Sequence, residues 1–192
     1  PTRSVAGQGV ALGRGTTDRE LMDKHSRLMP LQIVHEPQHV QEIAGERKDV
    51  NVYRGDCNQI LPQEVFPKVR FEDYRRALCL LDPYGLHLSW EVIAAAGRSR
   101  SIEVFLNFPV QDINRNVLRR NPDDVDPVQA ARLDFFWGDE SWRDIAWRRG
   151  STLWEEAREK VSNEELAEHF RQRLITVAGF KDVPKPCAMR NE

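Results

Sequence analysis

Apolar residues in this chain fall into short runs, each followed by a polar or turn-forming cluster and then by a stretch of helical period. Leu31 to Pro37, LQIVHEP, is a short apolar run ending in an acid and a proline, the pattern of a buried strand with Glu36 at its carboxyl end. DVNVYRGD, Asp49 to Asp56, is a second strand built on Val50, Val52 and Tyr53 and again ends in a turn and an acid. RALCLLDPYG, Arg76 to Gly85, holds five consecutive apolar residues from Ala77 to Leu81 and gives the strongest strand signal. SIEVFLNFP, Ser101 to Pro109, is the fourth. Between them the period is helical. Thr17 or Asp18 can cap a helix reaching Leu28, with acids near its start and Lys24, His25 and Arg27 near its end. Gln38 to Ala44 is a second helical stretch and Leu86 to Ala96 a third, while Pro62 and Pro67 mark the segment before Arg76 as a connector.

Strands alternating with helices predict parallel β-α units with helices on both faces of the sheet. In such sheets ligands sit beyond the carboxyl ends of the strands, where Glu36, Asp56, Asp82 and Asn107 all fall. That convergence is the main functional signal. Beyond Pro109 the chain turns helical: Gln111 to Arg120, then the loop NPDDVDP, then the Trp-rich stretch Leu133 to Trp147, then a periodic helix from Asn163 to Ala178. Ser162 and Glu165 have the spacing of a capping box for that last helix. The Trp-rich stretch reads as core in preference to a base-stacking platform. The first fifteen residues hold four of the eleven glycines and no period, so they are expected to be a flexible segment ahead of a single α/β domain over 16–192, with its helical, Trp-rich part at about 111–180.

A length of 192 residues suits one domain, and 40% hydrophobic with 30% charged residues suits a packed core under a solvated surface. The formal charge of −2 supplies no global field for nucleic acid, so any polyanion contact must be local. With no apolar run near the roughly 20 residues that span a bilayer, and no charged-then-apolar leader, the chain is expected in the cytoplasm and off the membrane. Cys57, Cys79 and Cys187 are odd in number and far apart, which suits reduced thiols. Pro37 between His35 and His39 spoils a helical zinc pair, and no metal ligand set is assigned.

Each strand-end residue has a chemical reading and a plainer one. Glu36 can accept both ribose hydroxyls of a nucleotide, or it caps the following helix. Asp56, with Cys57 beside it, can meet an adenine amine, or it is a turn aspartate. Arg115 is a candidate ligand for a phosphate or carboxylate, or a solvated helix arginine, and Asn107 would stand on the substrate side. Asp82, Pro83, Tyr84 and Gly85 are more specific. An aspartate, a proline and an aromatic directly after a buried strand resemble the [DN]-P-P-[FYW] signature of methyltransferases acting on amino nitrogens, with one proline here in place of two. The plainer reading is a tight turn with a buried tyrosine.

The blocks RALCLLDPYGLHLSWEVI, SIEVFLNFPVQDINRN, LDFFWGDESW and VPKPCAMRN resemble, in order, those of the three-Cys-motif partner proteins, the TcmP family. The resemblance runs from about Ile33 to Asn191. It implies a Rossmann-like class I methyltransferase-type sheet flanked by helices, with S-adenosylmethionine as cofactor. It also implies a radical-SAM-like protein with a three-cysteine motif as partner. Such a fold opens with a strand and a Gly-rich turn. No apolar strand precedes GQGVALGRG, so Gly7, Gly9, Gly13 and Gly15 are not read as that turn, and the first strand and the C-terminal strands are expected to be lacking. The chain thus looks like a piece of a longer domain.

Two functions follow. One is a methyltransferase-like protein with Glu36 on ribose, Asp56 near adenine, and Asp82 and Tyr84 at an amino acceptor. The alternative is a non-catalytic interaction subunit working with the three-Cys-motif protein. A metal-dependent nuclease using Asp56 and Asp82 is weaker, since no paired acidic motif supports it.

Overall fold

The computed structural model describes strands at 9–13 and 31–34, residues 50–149 and residues 158–189. The expected helices ending at Leu28 and Ala44 lie outside the described residues, as do Glu36, His35 and His39. Two compact units are present, Pro1–Tyr84 with Glu91–Asn107, and Gly85–Trp90 with Phe108–Glu192.

The first unit is mixed α/β. Its sheet contains β1 (Gly9–Gly13), β2 (Leu31–Val34), β3 (Val50–Tyr53), β4 (Ala77–Asp82) and β5 (Ile102–Leu106), in the order β3-β2-β1-β4-β5. The four strands expected from apolar runs are all there. β2 pairs parallel with β3, aligning Ile33 with Val52, and β4 pairs parallel with β5, aligning Leu80 with Phe105. The fifth strand corrects the reading of Gly9–Gly13 as loop: β1 occupies the centre, antiparallel to both β2 and β4. GVALG has too little apolar alternation to announce a strand. It becomes one because two flanking strands satisfy its backbone donors and acceptors, an energy that no local pattern records.

Along β4 burial alternates: Ala77, Cys79 and Leu81 are buried while Leu80 and Asp82 are exposed. α1 (Cys57–Ile60) runs on through a π-helical turn, Leu61–Val65, and a 3₁₀ turn, Phe66–Lys68, burying Ile60, Leu61, Val65 and Phe66. This corrects the reading of the segment as a connector. Pro62 and Pro67 each sit in the first turn of the piece they open, and the widened turn accommodates a ring that would break a continuous α-helical ladder. α2 (Trp90–Ser99) is the crossover between β4 and β5, starting later than Leu86 and burying Val92, Ile93, Ala94 and Ala96.

The second unit is mainly helical, with α3 (Val110–Asp112) continued by a π-helical turn Ile113–Val117, then α4 (Pro127–Trp137), α5 (Trp142–Ala146) and α6 (Asn163–Thr176). A small hairpin pairs β6 (Trp147–Arg149) with β7 (Arg158–Lys160) antiparallel. The Trp-rich stretch is therefore two helices and a strand. Gly138, at φ +97, ends α4 in the left-handed conformation with its N–H on the Asp134 carbonyl, and the stretch cannot continue as one helix. The capping box of α6 is formed by Ser162 and Glu165 in both directions. Phe170 is the hub of an aromatic core, with ring centroids 4.8 Å from Phe108, 5.3 Å from Phe136, 5.2 Å from Trp137 and 5.9 Å from Trp90. Among the described residues no helix is long and apolar enough to cross a membrane.

Candidate functional site

Asp82 and Asn107 leave the carboxyl ends of β4 and β5, neighbouring parallel strands, and the register of the pair sets them side by side. The Asn107 backbone N–H donates to the Leu81 carbonyl at 2.9 Å, extending the ladder by one bond. The Asn107 side-chain Nδ2–H donates to Asp82 Oδ1 at 2.8 Å. One carboxylate oxygen is thereby oriented, and Oδ2 has no hydrogen bond among the described residues. Strand alternation is what sends Asp82 to the exposed side. Gly9, which opens β1, is in register with Asp82 and brings only backbone beside it.

Pro83 fixes the backbone after Asp82, and Tyr84 follows with 66% of its surface exposed, not buried as the plainer reading of the motif required. Gly85 then turns the chain at φ +60. Within the second unit a Cβ on Gly85 would lie 2.5 Å from Asp112 Oδ2 and 3.4 Å from Arg132 Nη2. Arg132 donates to Asp112 Oδ2 at 3.2 Å and to Gln129 Oε1 at 2.5 Å, and Asn116 Nδ2 donates to Asp112 Oδ1. This polar network under the glycine was not among the sequence-derived candidates. Gly85 and Asp112 lie far apart in the chain, and nothing in NFPVQDIN distinguishes Asp112 from a solvated helix acid.

Asp56 has its plainer role at least in part. Its backbone is extended, its Oδ1 accepts from the Asn58 N–H at 2.9 Å, and its carbonyl accepts from Gln59 and Ile60, so it caps α1. The second carboxylate oxygen is left by the cap, and the residue is exposed. That oxygen is open to a hydrogen-bond donor. The Cys57 side chain, 6% exposed, is turned into the core and offers a ligand no sulfur. Burial raises the Cys57 thiol pKa and the Asp56 charge adds to it, while Cys79 is pushed up to about 12 by burial, with Cys57 contributing. Both are inert neutral thiols.

In the sheet order β3 and β4 are three inter-strand steps apart, roughly 14 Å between strand axes at about 4.8 Å per step. Asp56 and Asp82 rise from strands too widely spaced to share one ion. The spacing suits an elongated ligand lying along the sheet edge. Arg115 is exposed in the π-helical turn of the second unit, between buried Ile113 and Val117, and is not brought to the Asp82–Asn107 pair within one unit. Thus of the sequence-derived residues the first unit joins Asp82, Pro83, Tyr84 and Asn107 in one locality, with Asp56 farther along the edge, while Gly85 opens the second unit. No protein-family profile, curated protein or solved structure matches the chain.

Proposed function

We propose that the chain is a methyltransferase-like protein of the three-Cys-motif partner kind, binding S-adenosylmethionine along the carboxyl edge of a Rossmann-like sheet. The observation that carries this reading is the Asp82–Asn107 hydrogen bond beside an exposed tyrosine. A carboxylate held by one oxygen keeps the other aimed as an acceptor, which is what binding an amino N–H requires, and an adjacent exposed ring can stack on a flat acceptor. S-Adenosylmethionine, when bound, supplies an already activated methyl group. The chain's own task is then positioning: Asp82 holds the acceptor amine, Tyr84 fixes its plane, Asp56 receives an adenine amine and Glu36 the ribose. The strand order β3-β2-β1-β4-β5 is that of doubly wound nucleotide-binding sheets and supports the same reading.

A second reading is a non-catalytic subunit acting with a radical-SAM-like partner in the cytoplasm. The direction of β1 favours it. Because β1 runs antiparallel, it ends at Gly13 in register with Leu78, at the other end of β4 from Asp82, whereas a cofactor-approaching turn belongs at the Asp82 end.

Calorimetric titration of the chain with S-adenosylmethionine and S-adenosylhomocysteine separates the two. The first reading expects saturable binding, weakened in Glu36→Ala and retained in Asp82→Ala, with methyl transfer to amino acceptors lost in Asp82→Ala. No heat of binding from a folded chain would sink it and leave the interaction subunit.

A further inference from the structure

We infer a second functional surface in the first unit, a contact for single-stranded nucleic acid at the amino ends of β4 and β5. It lies about 16 Å from Asp82, the length of β4 at about 3.3 Å per residue step. The segment VRFEDYRR and the turn before β5 meet there. The Ala77 N–H donates to the Ser101 carbonyl, and the buried Ser101 hydroxyl donates to the Val69 carbonyl at 2.5 Å, tying the two segments together. On this base sit two exposed rings, Phe71 at 41% and Tyr74 at 82%.

Guanidinium groups already lie against one of them: Arg76 is 4.4 Å and Arg100 is 5.0 Å from the Phe71 ring centroid. Arg75 and Arg76 otherwise donate only to the carbonyls of Lys68 and Arg75, and Lys68 donates to the Tyr53 hydroxyl. Among the described residues these four cations have no carboxylate partner, whereas Arg70 and Arg98 are paired with Asp73 and Glu91. Lys68, Arg70, Arg75, Arg76 and Arg100 outnumber Glu72 and Asp73 on this surface, so a chain of net charge −2 is locally positive here, mostly through arginine.

Two features select nucleic acid over an acidic peptide. Exposed rings and guanidiniums both stack on bases, and arginine forks bind phosphate, whereas a run of carboxylates uses only the charge. The backbone also departs from the comfortable choice here. Tyr74 at φ +56 and Arg100 at φ +55 are the two non-glycine residues in the left-handed region among the described residues, and both belong to this patch. Glycine or asparagine would fit with less strain, so a ring and a guanidinium are held there against local preference.

The test is fluorescence anisotropy of the full chain with labelled oligouridylate and oligothymidylate of about 12 nucleotides, with duplex DNA and polyglutamate as competitors. Saturable, salt-sensitive binding is expected. Tyr74→Gly, which relieves the strained backbone, weakens it about tenfold without lowering the midpoint of thermal unfolding. The pair Arg76→Gln with Arg100→Gly reduces the slope of log affinity against log salt by about 1.4, the share of two phosphate contacts on a single strand. Absence of binding, a Tyr74→Gly chain that binds like the parent, or displacement by polyglutamate as readily as by unlabelled oligonucleotide would each overturn the assignment. The last would point to an acidic protein partner.

Discussion

Gly85→Ala tests whether the turn at Gly85 is set by the backbone and by the polar network against it. At φ +60 an alanine meets its own following carbonyl, at a cost of roughly 1–2 kcal/mol. Its Cβ would also fall 2.5 Å from Asp112 Oδ2, so the carboxylate must retreat by roughly 1 Å to reach ordinary contact. That retreat breaks or lengthens the 3.2 Å bond to Arg132 and disturbs the one from Asn116. The pair is largely covered, with side-chain exposures of 20% for Asp112 and 29% for Arg132, so the loss adds about 1–2 kcal/mol. Alanine restricts the unfolded chain and returns roughly 0.4–1 kcal/mol. The net expectation is a destabilisation of roughly 1–3.5 kcal/mol. Urea unfolding followed by tryptophan fluorescence is suited to it, because Trp90, Trp137, Trp142 and Trp147 belong to the same unit as Gly85. Asp112→Ala in the Gly85→Ala background removes the clash and leaves only the dihedral cost, so the double-mutant cycle should show coupling of about 1 kcal/mol or more. A Gly85→Ala chain within about 0.5 kcal/mol of the parent, or a strictly additive cycle, would refute this account of the turn.

Other consequences can be checked directly. Cys187 is exposed while Cys57 and Cys79 are buried, so a thiol reagent should titrate one cysteine in the native protein and three after denaturation. Ser162→Ala removes one arm of the capping box of α6 and should cost about 1 kcal/mol by urea unfolding, with Ser162→Gly costing less. Burial raises the Asp139 carboxyl pKa, but hydrogen bonds from the Ser141 hydroxyl and N–H and from the Arg173 guanidinium outweigh it and hold the group below its ordinary value. Its contribution is therefore present above the unfolded pKa of about 4 and lost as the pH falls through the folded value. The stability gap between the parent and Asp139→Asn should be open at neutral pH and close in acid, and a gap independent of pH would count against the pairing.

Local pattern carried much of the fold. Each of the four apolar runs that ended in a polar cluster is a strand; Ala77 to Leu81 bury alternate side chains in β4, whereas Asn51 and Val52 of β3 stay exposed and that strand is recognised by its β-branched alternation and turn-forming end. Ser162 and Glu165 also announced the last helix, because a capping box is satisfied by residues three apart and needs no partner elsewhere. The candidate site was legible in part for the same reason: an acid at the end of a buried strand must emerge at the sheet edge, and Asp82 and Asn107 did so on neighbouring strands.

Features closed by distant segments were not legible. β1 is a strand only because β2 and β4 flank it, and its antiparallel direction, which bears directly on the choice between enzyme and interaction subunit, is invisible in GVALG. The helical run through Pro62 and Pro67 depends on a π-helical turn that absorbs the proline ring, where proline alone signals a break. Gly85 reads as a turn glycine, yet the contact that holds it to glycine comes from Asp112. VRFEDYRR fell in the stretch read as a connector, and it becomes a ring-and-arginine surface only when Arg100 is folded against Phe71. The sequence by itself determined where the four apolar-run strands and the capped helix lie, through periodicity and local hydrogen bonding. Tertiary structure decided strand direction, which carboxylate is oriented and by what, and which charges share a surface, because those depend on groups that meet only after the chain has closed on itself.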